Sequence, residues 1–231
     1  MKSKLFLLAM ILIPCFASGQ IISGNKQIDA SKVKPWIPKQ IQDFQSEYHF
    51  GFSELESYFV LIISKDSCYA QIKSGEFSSS GRDSIWNFEN LKNVRIVGNK
   101  FYSNKTNGEF VKYKNRKGLI IYKPWRSVAK KGEYEIGFIG TPLKKYFTGR
   151  FSYASRRELT QDELVNMTLS DLRIMRNEIY ARYGYVFKPN GDLDNYFKKQ
   201  RWYRGQHQDI SNFLTGLENQ NIELIKMVEK K

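Results

Sequence analysis

Histidine and cysteine are scarce in this sequence, which has two of each among its 231 residues. His49 and His207 are far apart, and Cys68 is the only cysteine after Cys15, so no motif has the ligand spacing of a metal site. A nucleophile elbow, a zinc-binding helix and a phosphate-binding loop are absent as well. We therefore expect no catalytic residue, no metal site and no cofactor, and interpret the chain as a non-enzyme.

A disulfide framework is also excluded. If the N-terminal segment is removed, Cys68 is the only cysteine left, so the chain must fold around a hydrophobic core. Aromatic residues make up 15% of the sequence and can supply that core. Cys68 lies in the alternating run 67–72, which is typical of a strand. No histidine motif accompanies it, and this favours a buried thiol over a nucleophile.

Long apolar runs are missing except at the N-terminus, where residues 5–13 form one that is too short to span a bilayer. Lys2 and Lys4 precede this run, and Ala17-Ser18-Gly19 follows it with small residues. This order predicts a signal peptide at residues 1–19, cleaved after Gly19. The chain would then be exported and be periplasmic, secreted or on the cell surface, with no transmembrane segment in its mature form.

Two alternatives to a cleaved signal peptide remain at the N-terminus. The apolar run could be a core helix of the folded protein. Cys15 could also be lipidated, which would anchor the protein at a membrane surface. The residue before Cys15 is Pro14, whereas lipoprotein signals prefer a small residue there.

The charge is unevenly distributed over the chain. The formal net charge is +14, and residues 20–155 hold 22 Lys and Arg against 12 Asp and Glu, while residues 156–231 hold 13 against 11. A basic exported protein can attract anionic envelope polymers, and an envelope protein is the other expected partner. Export argues against nucleic acid. The charge could alternatively provide only solubility and weak nonspecific attraction.

Residues 20–155 have the pattern of an antiparallel β domain, which could be a small sandwich, a rolled sheet or a barrel. Turns are expected at Lys65-Asp66, Gly98-Asn99, Asn107-Gly108 and Lys117-Gly118. We expect residues 20–46 to be a loose lead-in with a short helix around 39–46. The expected strands are rich in aromatic and β-branched residues and cover 57–63, 68–73, 85–88, 94–97, 100–103, 109–113, 119–122 and 133–139.

Rings in these strands could line a binding face on the sheet. They could equally be the core and its edges. The candidates are Tyr58, Tyr69, Trp86, Tyr102 and Trp125, with Tyr113 and Tyr122 as further members.

Residues 156–231 have the pattern of a small all-helical domain. Thr160 and Glu163 have the spacing of a capping box, and Thr168 or Ser170 can cap the next helix. Gly184 can end that helix in a left-handed conformation. Residues at spacings of three and four share one face of it, namely Leu172, Met175, Ile179 and Tyr183.

The run Arg176 to Phe187 resembles the signature of the YARHG domain family. The family name spells Tyr-Ala-Arg-His-Gly, and the stretch Tyr180 to Gly184 matches it except that Tyr183 replaces the histidine. The resemblance covers about residues 157–229. It implies an extracellular bacterial domain that occurs beside varied partners and has no established activity. Tyr183 could not take over base chemistry near neutral pH without a large pKa shift.

The motif residues have two possible roles. They could form an interior polar network that ties the helix to neighbouring loops, which we favour, or an exposed anion-binding patch that includes Arg176, Tyr180 and Arg182. The resemblance and its surroundings single out Arg176, Asn177, Glu178, Tyr180, Arg182, Tyr183, Gly184, Tyr196, Phe197, Trp202 and Tyr203.

Further expectations concern the last helices. Asp192 can cap a short helix, and Ser211 can cap a final helix that carries Leu214, Leu217, Leu224, Ile225 and Val228 on its apolar side. Asn221 falls on that apolar side and should have a buried partner.

The sequence therefore predicts an exported cell-envelope protein with a noncatalytic binding or interaction role. The alternative is an enzyme that acts on an envelope polymer through paired carboxylates, such as Glu54 with Glu56 or Asp192 with Asp194. Each pair lies in an expected turn or strand edge, where solvated side chains are common.

Overall fold

The computed structural model describes residues 20–51, 57–79, 81, 84–125 and 130–230. The expected signal peptide at 1–19, with Cys15, lies outside the described residues, as do Glu54 and Glu56. None of the helices in the described part of the chain is long and apolar enough to cross a membrane.

The described residues of the N-terminal part form one sheet of twelve strands. The strands in chain order are β1 (Gln20–Ser23), β2 (Lys26–Gln27), β3 (Val33–Pro35), β4 (Ser46–His49), β5 (Tyr58–Ser64), β6 (Ser67–Phe77), β7 (Ser84–Asn90), β8 (Arg95–Val97), β9 (Lys100–Tyr102), β10 (Asn107–Tyr113), β11 (Arg116–Ile121) and β12 (Glu133–Ile139).

Neighbouring strands run in the spatial order β7-β6-β5-β4-β12-β11-β10-β9-β8, and all these pairs are antiparallel. β1 adds a parallel pair with β12. Helices follow the sheet in the chain. The predicted fold class, an antiparallel β part followed by a helical C-terminal part, is confirmed.

The hairpin of β5 and β6 shows why this part folds as a sheet. Its turn is at Lys65-Asp66 as predicted, with Lys65 at a positive φ of 49°, and Ser64 pairs with Ser67. Branched and aromatic side chains in β5 alternate between the two faces. Both faces are buried, because one faces the sheet core and the other faces the helices.

The sheet curls over its own core. The ring of Phe59 on β5 lies 5.1 Å from the ring of Phe101 on β9, although four strands separate β5 from β9 in the spatial order. Half of the buried side chains in the core inside the curl are aromatic, and they include the stacked pair Phe44 and Phe110 at 3.9 Å. Of the three predicted β architectures, a rolled sheet fits these contacts.

Two turn predictions were wrong. Asn107-Gly108 and Lys117-Gly118 lie within β10 and β11. A Cβ atom on Gly108 would lie 2.1 Å from the carbonyl oxygen of Ile120, and one on Gly118 would lie 2.6 Å from that of Gly137. These glycines therefore allow close approach of neighbouring strands. The Gly98-Asn99 turn between β8 and β9 is confirmed.

The prediction of a loose lead-in was also wrong. Residues 20–46 supply β1, β2 and β3, and the expected helix around 39–46 is a short 3-10 helix at Ile41–Phe44. Trp36 follows β3 and is buried against Phe44 and Phe110. The lead-in is therefore ordered because its apolar residues complete the sheet's core.

Five α-helices follow the sheet, namely α1 (Leu143–Tyr146), α2 (Gln161–Val165), α3 (Leu169–Arg182), α4 (Asp192–Phe197) and α5 (Gly216–Glu229). Thr160 and Thr168 cap α2 and α3 as predicted, and Ser170 lies inside α3. Gly184 has a φ of 72° just after α3. The predicted face of α3 is buried and packs against α5.

Two predicted caps were wrong. Gly191 caps α4, and the side chain that accepts from the backbone there is Asp194, which bonds to the N–H of Asn190 at 2.9 Å. The final helix begins after Thr215, well beyond Ser211, which lies in an exposed turn. Thr215 has the advantage of Glu218 three residues later, which completes a capping box.

The buried partner expected for Asn221 is confirmed. Its Oδ1 accepts from the N–H of Leu159 at 2.9 Å, and its Nδ2 donates to the carbonyl oxygens of Ala154 and Arg157 at 2.8 Å each. Asn221 thus ties the segment before α2 to α5.

The helices pack on the outer face of the sheet. Val60 and Ile62 of β5 meet Leu143, Phe147 and Leu217 in a small apolar cluster. The two parts of the chain are joined by buried apolar surface, and Phe147 of this cluster also lines the candidate site.

Candidate functional site

A cleft lies between the sheet and the helices. It consists of two adjoining pockets of about 710 and 370 Å³. We define the interface cleft by the lining residues that carry the argument below, which are Tyr58, Lys73, Trp86, Phe88, Tyr146, Arg182, Tyr183, Trp202 and Arg204.

Lys73 reaches into the interface cleft from β6. Its Nζ lies 4.1 Å from the centroid of the Trp86 ring, 5.4 Å from that of Tyr58 and 5.8 Å from that of Tyr146. No hydrogen bond or ion pair joins this ammonium group to another described residue. Burial lowers the pKa of Lys73 from 10.5 to about 8, although the nearby Glu47 carboxylate works in the opposite direction.

The alternation of β6 positions this lysine. Ala70 and Ile72 point into the sheet core, so Tyr69, Gln71 and Lys73 point to the opposite face, under the helices. Lys73 was not among the residues predicted to form a site. The strand alternation could have indicated it, because Lys73 lies on the same face of the strand as Tyr69 and Gln71.

Tyr183 lies at the base of the interface cleft. Its hydroxyl donates to Glu218 Oε2 at 2.6 Å, and its ring packs edge-on against Phe88 with centroids 4.8 Å apart. Gln71 lies beside the hydroxyl and donates to the carbonyl oxygen of Phe213 at 2.6 Å. Burial and the Glu218 carboxylate raise the pKa of Tyr183 well above its usual range, so its hydroxyl stays protonated.

Arg182 and Glu178 form the wall beside Tyr183, and their side chains are only 6% and 2% exposed. Arg182 donates to Glu178 Oε2 at 3.0 Å, to the carbonyl oxygen of Thr148 at 2.7 Å and to Ser155 Oγ at 2.8 Å.

The carboxylate of Glu178 is equally occupied. Glu178 also accepts from the backbone N–H groups of Arg150 and Phe151 at 2.8 and 2.7 Å. Burial lowers the pKa of Arg182, but a guanidinium remains charged in proteins. Both charges therefore serve an internal network that joins α3 to residues 148–155.

The other motif residues of α3 lie apart from the cleft. Arg176 donates from Nε to Glu229 at 2.9 Å, and Asn177 donates to the carbonyl oxygen of Arg173 at 2.7 Å. Tyr180 is half-buried between two apolar clusters of the helical part. Gly184 follows α3 and, unlike these residues, lines the cleft. A Cβ atom at this position would lie 2.8 Å from the carbonyl oxygen of Arg204, so a larger residue would collide there.

The aromatic residues after α3 pack together at the other end of the helical part. Phe197 stacks on Phe187 with centroids 4.8 Å apart, and Tyr196 packs edge-on against Phe197. Tyr203 is buried and its hydroxyl donates to the carbonyl oxygen of Tyr185 at 2.7 Å. Trp202 belongs to this cluster and also lines the interface cleft.

The five rings expected on one binding face lie in different places. Tyr58 and Trp86 meet in the interface cleft with centroids 5.7 Å apart. Tyr69 is on the same face but packs under α5. Tyr102 stacks with Arg95 at the far end of the sheet, and Trp125 packs on the core and donates to Ser57 Oγ at 2.7 Å.

Residues 206–214 hold Trp86 in place along the sheet edge. Gln206 donates to the carbonyl oxygen of Ser84 at 2.6 Å, and His207 Nε2 lies 2.9 Å from that of Trp86. Asn90 donates to three carbonyl oxygens between residues 212 and 214. This segment covers the exposed edge of β7, which is an end strand of the sheet.

The remaining candidate groups do not converge. The carboxyl group of Asp194 is tied to Asn190 and Lys198, whereas the Asp192 side chain is 88% exposed. Cys68 is half-buried, and burial raises the pKa of its thiol. In the part of the chain that the structure describes, no group of three or more His, Cys, Asp or Glu side chains could hold a metal ion.

No curated protein and no solved structure matches the chain. Residues 144–230 match the YARHG domain family, a range that starts earlier than the 157–229 of the predicted resemblance and includes the Thr148, Arg150 and Phe151 contacts of α3. YARHG domains occur in exported proteins and are associated with envelope binding. The C-terminal part of this chain, residues 144–230, is thus similar to the YARHG domain, and this match confirms the resemblance expected from the sequence.

Proposed function

We propose that this is an exported cell-envelope protein with a noncatalytic binding role, and that the interface cleft is its binding site. The observation that carries the proposal is the ammonium group of Lys73, which lies among aromatic rings without a hydrogen-bond partner among the described residues. Both parts of the chain build the cleft, so binding needs the sheet and the YARHG domain together.

The form of the cleft supports a binding role. Ligand sites are typically concave and apolar with a few polar groups that fix orientation. Here Trp86, Phe88 and Trp202 supply apolar surface, and Lys73 supplies an unpaired charge. The hydrogen bonds of Gln206 and His207 to β7 hold one wall rigidly, and rigid walls lower the entropic cost of binding.

The chemistry of the cleft favours binding over catalysis. Each of the three guanidinium nitrogens of Arg182 donates to a protein acceptor, and the Tyr183 hydroxyl is held protonated. Glu47 is the acidic side chain that lines the cleft, and it accepts from the backbone N–H of Thr141. The alternative enzyme with paired carboxylates predicts release of soluble fragments from an envelope polymer, which chromatography of the supernatant would detect.

Export rests on the expected signal peptide. Cleavage after Gly19 would leave Gln20 first, and Gln20 begins β1, so removal of the leader would keep the sheet intact. Mass spectrometry of the mature N-terminus tests this. A mass that begins at Gln20 supports export by simple cleavage, a lipid on Cys15 supports a membrane anchor, and an uncleaved chain contradicts both.

The binding role is tested by sedimentation of the purified protein with peptidoglycan, capsule and outer-membrane fractions over a range of salt concentrations. We expect one fraction to retain the protein at salt that screens nonspecific attraction. Trp86→Ala should abolish retention. Tyr102→Ala is the matched control, because this half-buried ring lies outside the cleft. Equal retention of Trp86→Ala and the parent would contradict the proposal.

A further inference from the structure

We infer that Lys73 binds a carboxylate group of an acidic polysaccharide that lies along the interface cleft. This inference rests on the proposed function and specifies its ligand. It depends on the position of one ammonium group, on the rings around it and on the charges that line the same cleft.

The ammonium group of Lys73 has no hydrogen-bond acceptor among the described residues. An ammonium group has three N–H donors, and burying it without acceptors is costly. The faces of Trp86, Tyr58, Phe88 and Tyr146 at 4.1 to 5.9 Å compensate part of this cost by cation–π attraction. They accept no strong hydrogen bond, so the donors of Lys73 remain available to an anionic group that enters the cleft.

The other charged side chains that line the cleft determine which ligand charge it can accept. Arg182 is neutralised by Glu178 at 3.0 Å, and Arg204 donates to the carbonyl oxygens of Arg201 and Tyr203. Glu47 and Lys145 also line the cleft and carry opposite charges. One carboxylate group can pair with Lys73 there, and inorganic phosphate lacks the sugar ring that would contact Trp86 and Trp202.

The indole rings in the cleft indicate what the rest of the ligand is. Trp86 and Trp202 are half-buried in the cleft, and an indole ring presents a flat apolar face with a polar edge. Such a face matches the C–H face of a sugar ring, whose hydroxyl groups can stay in water. The two pockets share Lys73, Phe88, Arg182, Tyr183 and Trp202, so they are contiguous and can hold more than one sugar unit of a chain.

The experiment is calorimetric titration of the full mature protein with a galacturonic acid oligomer. The neutral methyl ester of the same oligomer and inorganic phosphate are titrated in parallel. We expect the acid to bind at least tenfold more tightly than the ester, which is the size of effect of one charge-assisted hydrogen bond. Phosphate should bind more weakly than the acid.

Lys73→Gln should remove this preference and bind acid and ester alike. Lys112→Gln is the matched control, because Lys112 is exposed on β10 and the substitution removes the same charge. A Lys73→Gln variant that keeps the parent's preference for the acid would overturn the inference, and so would tighter binding of phosphate. If the parent binds no envelope fraction, the proposed function itself fails, which is a separate result.

Titration with pH gives a second readout. Lys73 has a pKa of about 8, so affinity for the acid should be constant below this pH and fall above it. The other charged and titratable groups that line the cleft with Lys73 are Glu47, Tyr58, Lys145, Tyr146, Arg182, Tyr183 and Arg204, and the pKa of each of these tyrosines is raised. Affinity of the parent that is unchanged from pH 7 to 9.5 would contradict the assignment to Lys73.

Discussion

The hydroxyl group of Tyr183 donates a hydrogen bond of 2.6 Å to the carboxylate of Glu218, and both side chains are buried. Glu218 Oε2 also accepts from the N–H and the hydroxyl of Thr215, at 3.0 and 2.9 Å. Tyr183 stands where the family name has a histidine. In this chain that position joins the end of α3 to the capping box of α5 and packs on Phe88 of the sheet.

Tyr183→Phe should lower the free energy of unfolding by about 1–3 kcal/mol, because the buried Glu218 carboxylate loses a donor and the ring stays in place. Urea denaturation followed by circular dichroism measures this change. Tyr153→Phe is the matched control, since the Tyr153 hydroxyl has no hydrogen bond to a described residue. Equal stability of the two variants would mean that the Tyr183 hydrogen bond contributes nothing to folding.

Glu178→Gln should be more damaging, with a loss of about 3–5 kcal/mol, because it leaves the buried Arg182 without its counter-charge. It also turns an amide donor towards the backbone N–H groups of Arg150 and Phe151. Glu223→Gln is the control, since Glu223 is 67% exposed in its pair with Lys226 and its replacement should change the free energy of unfolding far less than Glu178→Gln does. A small effect of Glu178→Gln in thermal or urea unfolding would contradict the buried network.

Asn221→Ala should cost about 2–4 kcal/mol, because it leaves the N–H of Leu159 and two carbonyl oxygens without partners in the interior. The exposed neighbour Asn219 provides the comparison, and Asn219→Ala should change stability by no more than about 0.5 kcal/mol. Denaturant midpoints at constant m-value measure both. The account fails here if the two asparagines prove equally replaceable.

Lys73→Met should stabilise the protein near neutral pH by about 1–2 kcal/mol, because it removes a partly buried charge with no partner. The folded-state pKa of Lys73 is lowered to about 8 from 10.5, so between these values the unfolded chain binds more protons than the folded one. The stability of the parent should therefore rise with pH across this interval, relative to Lys73→Met. The two proteins are compared by urea denaturation from pH 7 to 10.5, and parallel curves would show that Lys73 is not buried as described.

Local patterns were sufficient for much of the fold. The branched run of β5, the Lys65-Asp66 turn and the Thr160 and Thr168 caps each depend on residues close in sequence, and all of these predictions are confirmed. Asn221 was recognised because a polar residue on an apolar helix face needs a buried partner. The motif helix could also be predicted from local sequence, because the three- and four-residue spacing of its apolar residues defines its buried face.

Features that depend on contacts distant in sequence could not be predicted. Gly108 and Gly118 have the composition of turns, and only the strand that lies against each explains why they are in strands. In the sequence Lys73 cannot be distinguished from the many exposed lysines. Its special environment comes from the helices that cover β6 and from Trp86 on the neighbouring strand. The interface cleft arises from the docking of the two parts, which no local pattern encodes.

The central claim is that ligand enters between the sheet and the YARHG domain, and the four tryptophans test it directly. Trp86 and Trp202 line the interface cleft, whereas Trp36 is buried in the core and Trp125 packs on it. The measurement is fluorine NMR of protein labelled with 5-fluorotryptophan, titrated with the galacturonic acid oligomer and assigned by single Trp→Phe variants. The resonances of Trp86 and Trp202 should shift and those of Trp36 and Trp125 should not, while bound oligomer that leaves Trp86 and Trp202 unchanged would contradict the account.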